Sequence, residues 1–286
     1  MTEFGKLLKY LRTSRHVTQA ELAHNLISRD TVVRIENKHQ SPSFETSTEL
    51  LEKLGISLSD FDKQRATYNP TSFSKLSQLF LYQLNSSGDH QTLEEIKELA
   101  HMIYQKDSNM TARNIMLSVE AMLQIDDQDF DVKKIKELRN LLRPVWDDLS
   151  QIDEWCMLDL RILDSCLFFF ELDTAREIMH HAFRIIDKKY PTLVGLKAAF
   201  SANYCYLLIL NRKIKPPFIE VMESRKIASQ TGRYDLVIVA DIRLILLEQD
   251  PDYQSKINHK LDILSDFGAK KLVTSLRREI KTILAS

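Results

Sequence analysis

Between Thr18 and Asn37 the chain reads TQAELAHNLISRDTVVRIEN. In its second half Arg29, Asp30 and Arg34 fall on one side of a helical pattern, and Val32, Val33 and Ile35 on the other. An arginine held on such a face can donate two hydrogen bonds to the paired acceptors of a guanine edge, whereas an aspartate there can only accept. The plain alternative is a solvated surface, which is what most exposed arginines form. Spacing is what lifts the stretch above that alternative. Gln19-Ala20-Glu21-Leu22-Ala23, a short turn, and then Ser28 to Glu36 have the length of a helix-turn-helix whose second helix is free to enter a major groove. Leu22, Ala23, Leu26, Val32 and Ile35 form the inward set that holds the angle, and Arg29, Asp30 and Arg34 the outward set.

Those residues need a small domain to carry them. Phe4, Leu7, Leu8 and Leu11 repeat at the helical period, Thr18 and Ser28 stand in N-cap positions, and Ser43 to Leu54 is closed by Gly55 where helices stop. A fifth helix begins at Ser57 to Phe61. The polar run from Asp62 to Ser72 contains Asn69-Pro70, which discourages helix. Domains are therefore expected at 1–66 and 73–286, joined by a linker at 67–72. Beyond the linker, helical periodicity predicts helices at about 72–86, 91–106, 111–126, 131–143, 153–170, 173–188, 192–210, 216–231, 233–249, 252–266 and 269–284. They pair: second members start near Gln91, Asp131, Thr174, Pro216 and Asp252, about 36 to 43 residues apart, as in stacked helical hairpins. QTLEEIKELAHMIY (91–104) and DTAREIMHHAFRII (173–186) share a polar start, an apolar anchor and a small residue, Ala100 or Ala182, where neighbours must approach. The expected fold is all-α, a five-helix lambda-repressor-like domain followed by a right-handed, tetratricopeptide-like repeat domain.

Composition agrees. The chain has 286 residues, 44% apolar and 28% charged, with only 6 glycines. A net charge of -1 excludes a global positive field, so any nucleic-acid surface is local. The amino-terminal basic residues Lys6, Lys9, Arg12, Arg15, Arg29, Arg34 and Lys38 outnumber Glu3, Glu21, Asp30 and Glu36. Cys156, Cys166 and Cys205 are odd in number and lack metal-ligand spacing; they read as small buried apolar residues in a reducing cytoplasm. No metal and no cofactor are expected, and the adjacent His180 and His181 face different sides of a helix. The most apolar runs, near Cys166–Leu172 and Val237–Leu247, are short of a bilayer span, so no membrane association is expected. There is no phosphate loop, no His-Glu-x-x-His and no nucleophile with an evident base, which argues against an enzyme.

Gln19, Glu21-Leu22-Ala23, Val33-Arg34-Ile35-Glu36-Asn37 and the trailing LLEKLGISLSDF (50–61) make the first sixty residues resemble the phage-repressor type of helix-turn-helix of the xenobiotic-response-element family. The resemblance implies that Arg29, Asp30 and Arg34 face base edges, that Gln19 and Ser28 meet phosphates at helix amino termini, and that Asn37 and Lys38 touch the backbone beyond the reading helix. It also implies a partly buried Arg12–Glu36 ion pair. The turn Asn25-Leu26-Ile27 lacks glycine and is one residue shorter than the phage form, as in peptide-pheromone regulators of the Rgg type.

EWCMLDLRILDSCLFFFELDTAREIMHHAFRII (154–186), with its LFFF followed by acid-x-Ala, resembles the central repeats of Rgg/GadR/MutR-type regulators. That resemblance implies a cytoplasmic homodimer on double-stranded DNA, probing a two-fold operator, with a short hydrophobic peptide pheromone in the concave face of the repeats and RNA polymerase as a candidate further partner. Polar residues on the apolar first helices then become candidate peptide contacts: Arg161, Asp164, Ser165, Asn203, Tyr206, Asp241 and Arg243. Arg161 could hold a carboxylate, and Asn203 a peptide backbone with both donor and acceptor. The alternative for each is a bond between helices of the stack, and for the domain a partner protein in place of a peptide. Leu272, Leu276, Ile280 and Ile283 or Leu284 carry apolar positions to the end of the last helix, which is expected to want a two-fold partner as cover.

Overall fold

The computed structural model describes residues 3–37, 40–68, 70–83, 90–126, 132–211, 216–248 and 251–285, and every regular element among them is a helix. The chain divides into two compact units, Met1–Lys75 and Leu76–Ser286. Of the expected linker, Thr67 and Tyr68 finish one helix and Ser72 opens the next, while Asn69 lies outside the described residues.

The first unit holds α1 (Glu3–Ser14), α2 (Gln19–Ala23), α3 (Arg29–Asn37), α4 (Phe44–Lys53) and α5 (Leu58–Tyr68). Leu7, Leu8, Leu11, Leu22, Val32, Ile35, Leu50, Leu51 and Phe61 meet in one core, with the Phe4 and Phe61 rings 5.1 Å apart. Each such side chain contributes about 1.5–3 kcal/mol by burial, far more than the propensity of helices this short. Starts and stops follow local chemistry. Thr18 Oγ1 accepts from the Glu21 amide while the Glu21 carboxylate accepts from the Thr18 amide, a reciprocal capping pair. Ser43 caps α4, and Gly55, at φ +65°, ends it in the left-handed conformation.

After α6 (Ser72–Gln83), which spans the boundary between the units, the second unit contains α7 (His90–Asp107), α8 (Met110–Asp126), α9 (Val132–Leu149), α10 (Met157–Cys166), α11 (Leu172–Lys189), α12 (Val194–Leu210), α13 (Phe218–Gln230), α14 (Tyr234–Glu248), α15 (Tyr253–Asp266) and α16 (Lys270–Ala285). Helices α7, α8 and α9 pack in succession, as do α11 to α16, and α8, α10, α12, α14 and α16 each pack on the next to form one layer. We call this the inner layer, and α7, α9, α11, α13 and α15 the outer helices. Ala100 and Ala182 are fully buried, as close approach of neighbours requires.

Several boundaries differ from expectation for identifiable reasons. Helix α9 runs through Pro144 to Leu149 instead of stopping at 143. An internal proline costs about 3 kcal/mol, but burial of Leu142, Val145 and Leu149 outweighs it. Helix α10 starts at Met157, not 153, because the Trp155 ring is already committed to the interior, its Nε1 donating to the Leu149 carbonyl at 2.9 Å. The same helix ends early, in a 3-10 turn at Leu167–Phe169. Cys166 and Cys205 are buried, and burial pushes their thiols up to about 12 and about 11; Cys156 departs from expectation and stands exposed at the start of α10. The segment Pro191–Leu210, at mean hydropathy 1.5 over 20 residues, is long and apolar enough to cross a membrane, contrary to the reading above. It packs here against α10, α11, α13 and α14 as the central helix of the unit.

In the last helix Leu276 is 2% exposed and packs with residues of α14 and α15, and Ile283, also 2% exposed, packs with residues of α12, α13 and α14. Leu272 and Ile280 are half-buried and Leu284 is exposed. Arg243 of α14 locks this end: it is 5% exposed, its Nε and Nη2 grip Glu279 at 2.7 and 3.1 Å, and its Nη1 donates to the Ala202 carbonyl of α12 at 2.6 Å. Breaking such a pair leaves one buried charge unmatched. Glu279→Ala should cost about 3 kcal/mol in urea denaturation, and the double change Arg243→Met, Glu279→Leu should recover most of that loss.

Candidate functional site

Helix α3 is held in place by a buried charge. Glu36 is fully buried, and its carboxylate accepts from Arg12 Nε at 2.6 Å, Arg12 Nη2 at 3.0 Å and Gln19 Nε2 at 2.8 Å. Arg12 Nη1 adds the Val17 carbonyl at 2.6 Å. The ion pair implied by the resemblance is thus present, and Gln19 belongs to it. The Gln19 side chain, expected at a phosphate, already has a partner inside the domain.

Along the same helix Arg29, Asp30, Arg34 and Asn37 are exposed. At 3.6 residues per turn they fall, with Val33, within an arc of about 140°. Val33 was expected inward; it is half-buried and absent from the core cluster that takes Val32 and Ile35. An apolar side chain amid polar ones on such a face is suited to a thymine methyl, so Val33 is a site residue that the apolar pattern hid. Arg34 Nη2 rests on Thr31 Oγ1 at 3.1 Å, which leaves donors of its guanidinium available. Ser28 caps α3, its Oγ accepting from the Thr31 amide at 3.1 Å, and Lys9 Nζ donates to Asn37 Oδ1 at 2.9 Å. Lys38 lies outside the described residues.

The turn that sets the angle between α2 and α3 contains no glycine because Asn25 takes the left-handed position, at φ +58°. Asparagine tolerates that region better than other side chains.

In the second unit the seven candidate contacts do not share one face. Asp241 is gripped by Arg225 Nε of α13 at 2.5 Å and Lys260 Nζ of α15 at 2.7 Å, so it points to the outer layer. Desolvation opposes its ionisation, yet these two bonds prevail and hold it below the usual carboxylate range. Arg243 is buried in the ion pair already described, with no nitrogen left for a peptide carboxylate. Both assignments fail for one reason: α14 buries side chains on two faces, so a polar residue on it need not face a groove.

Arg161, Asp164, Ser165, Asn203 and Tyr206 remain together on α10 and α12. Ser165 Oγ returns to the Ile162 carbonyl at 2.7 Å. Tyr206 lies between the Phe168 ring, at 6.1 Å, and the Arg243 guanidinium, at 5.5 Å, and desolvation, with Glu279 nearby, raises its phenol. Asn203 Nδ2 donates to the Asp164 carbonyl at 3.0 Å and to Asp164 Oδ1 at 3.1 Å. Burial pushes the Asp164 carboxyl up to about 7 in spite of Arg161, Asn203 and Arg233, which all favour the charged form. Burial likewise lowers the Arg161 guanidinium, whose Nε has no acceptor.

Comparison with known proteins fits this geometry. The helix-turn-helix family matches residues 8–61, which span α2, α3 and their supports. No curated protein matches the chain by sequence. Among solved structures, the fold is shared with the SHP pheromone receptor Rgg2 of Streptococcus dysgalactiae, at 15% identity and TM-score 0.64 over 98% of this chain and 99% of that one. It is shared too with PrgX in its iCF10 complex, at 14% and 0.62 over 100% and 97%. Bacillus thuringiensis PlcR, solved with the peptide PapR7 and DNA, matches at 14% and 0.61 over 98% and 99%. At these identities the fold is what is shared.

Two outcomes follow from this geometry. Asn25→Gly should keep the stability of the first unit and Asn25→Ala should lose about 1 kcal/mol in thermal denaturation, since alanine pays the left-handed strain that asparagine and glycine avoid. For Asp164 the folded chain keeps a proton up to about 7 that the unfolded chain releases near 3.8. Its contribution to stability is therefore complete at lower pH and lost as the pH rises through 7. Asp164→Asn, which cannot titrate, should raise Tm over the parent at pH 8 and leave it nearly level at pH 4; equal differences at both values would contradict the assignment.

Proposed function

We propose that the chain is a cytoplasmic, dimeric, sequence-specific DNA-binding transcription regulator whose repeats bind a short linear peptide. The observation that carries the reading is the division of α3: Val32, Ile35 and Glu36 are buried, with Glu36 locked by Arg12 and Gln19, while Arg29, Asp30, Val33 and Arg34 lie on an arc without a role in the core. A helix so held can enter a major groove without unfolding anything. Arginine there reads guanine, and valine reads thymine. Asn37 and Ser28, with Lys38, flank that face where phosphates would pass. Two such heads on a two-fold axis would meet half-sites about one turn, roughly 34 Å, apart.

The peptide reading is supported by the shared fold. PrgX and PlcR were solved with iCF10 and with PapR7, and Rgg2 is described as a pheromone receptor. Here the polar residues of α10 and α12, Arg161, Asp164, Asn203 and Tyr206, lie on the inner layer, where stacked helices can contact an extended chain along its length. Ser165 flanks them. The regulator is read as a non-enzyme, its effect on transcription passing through the DNA it occupies.

Fluorescence anisotropy with duplexes from the DNA upstream of the gene tests the first half. Binding should weaken steeply with salt, because phosphate contacts release counterions. Arg29→Ala or Arg34→Ala should cost about tenfold in affinity for the preferred duplex, with Tm unchanged. Salt-insensitive binding, or alanine variants indistinguishable from the parent, would refute the reading.

A further inference from the structure

The contact between Asp164 and Asn203 fixes more than two helices. Asn203 Nδ2 faces two oxygens, the main-chain carbonyl of Asp164 and its Oδ1. The first can only accept, and the second accepts whether the carboxyl is ionised or carries its proton on Oδ2. The carboxamide therefore cannot be turned over, since that would set oxygen against oxygen. Nδ2 is thus engaged by two acceptors of Asp164, and the group left to face a ligand is Oδ1. That oxygen takes no hydrogen bond from a described residue, nor is it among the buried polar atoms lacking a partner. The expectation that Asn203 could offer a ligand both donor and acceptor is thereby corrected: it offers an acceptor.

The charged groups around this contact are few. Arg161 faces Asp164 from α10 itself, with its Nε buried and without an acceptor. Arg233, ahead of α14, faces it too, but is held bidentately by Asp235 at 2.9 and 2.7 Å. The Cys166 thiol lies within electrostatic reach, and α12 contributes the uncharged Asn203.

Resting on the peptide-binding reading above, we propose that Asp164 is the positioning residue of this face: by setting two acceptor oxygens against Nδ2 of Asn203 it turns the carboxamide oxygen outward, making a subsite that takes an N–H donor, such as a peptide amide, and refuses an acceptor. Ionisation of Asp164 strengthens the bond it accepts from Nδ2 and polarises the carboxamide, making Oδ1 the better acceptor. Because burial delays that ionisation to about pH 7, a bound N–H donor is held more tightly at pH 8 than at pH 6.

The test uses the intact chain and a heptapeptide selected on it at pH 7 from a random phage-displayed library, together with analogues in which each backbone N–H in turn is N-methylated. One analogue should bind about tenfold more weakly than the parent peptide. Asp164→Ala leaves only the main-chain carbonyl to hold Nδ2, so the carboxamide is less restrained and that penalty should fall to below about threefold. Asp164→Asn keeps an acceptor oxygen but no charge, so it should retain the penalty and lose the gain in affinity between pH 6 and pH 8. An unchanged penalty in Asp164→Ala, or a pH gain surviving in Asp164→Asn, overturns the proposal; if the alanine variant does not fold, the asparagine arm decides. A second readout needs no ligand. The side-chain amide resonances of Asn203, assigned by their loss in Asn203→Ser, should titrate near pH 7 in the parent and stay flat in Asp164→Asn. Absence of that titration overturns the positioning role even where peptides bind, whereas failure to select any peptide, with the titration present, removes the peptide-binding reading alone.

Discussion

A carboxylate sealed from water must be matched where it lies, and Glu36 is matched by donors from two other helices, Arg12 of α1 and Gln19 of α2. Apolar contacts such as Leu22 against Ile35 supply most of the stabilisation in this unit, but they tolerate a small rotation of α3 about its own axis. A guanidinium fork closing on a carboxylate does not. The direction in which Arg29, Val33 and Arg34 point is therefore set by a buried group on the same helix, at the margin of the exposed arc and seven residues beyond Arg29. Stability and aim come from different residues.

The repeat unit uses the same division. Its buried leucines, isoleucines and phenylalanines hold the stack together, while polar crosslinks fix how neighbours register: Arg243 joins α14 to α12 and α16, and Asp241 joins α14 to α13 and α15. Asp164 joins α10 to α12 through Asn203. In the first two every charge is matched by a partner. The third keeps an oxygen open and a carboxyl poised near neutrality, which is why it, and not the stronger ion pairs, bears on what the face can bind.

Much of this was legible beforehand. The helical period, the caps at Thr18 and Ser28, the stop at Gly55 and the pairing of helices all follow from local chemistry, and the structure has them. What escaped was sidedness. In α3 a run of Val32 and Val33 looks wholly inward, yet adjacent positions on a helix lie about 100° apart and only one of the two can face the core. In α12 and α14 buried residues occupy more than one face, so the period no longer says where a polar side chain points; Asp241 and Arg243 were misjudged on that ground. Pro144 and Trp155 show the remaining limit, since burial overrode one helix breaker and pulled another helix start forward. The hydrogen-bond polarity of Asn203 needed coordinates, because it depends on a partner 39 positions away.

The central claim is that the open arc of α3 reads duplex DNA, and selection of duplexes from a fully randomised library by the intact chain addresses it most directly. The account predicts enrichment of a two-fold motif whose half-sites lie about 10 base pairs apart centre to centre, with the preferred bases changing when Arg29, Val33 or Arg34 is replaced. Recovery of unenriched sequence, or of the same motif from a chain carrying alanine at all three positions, would contradict it.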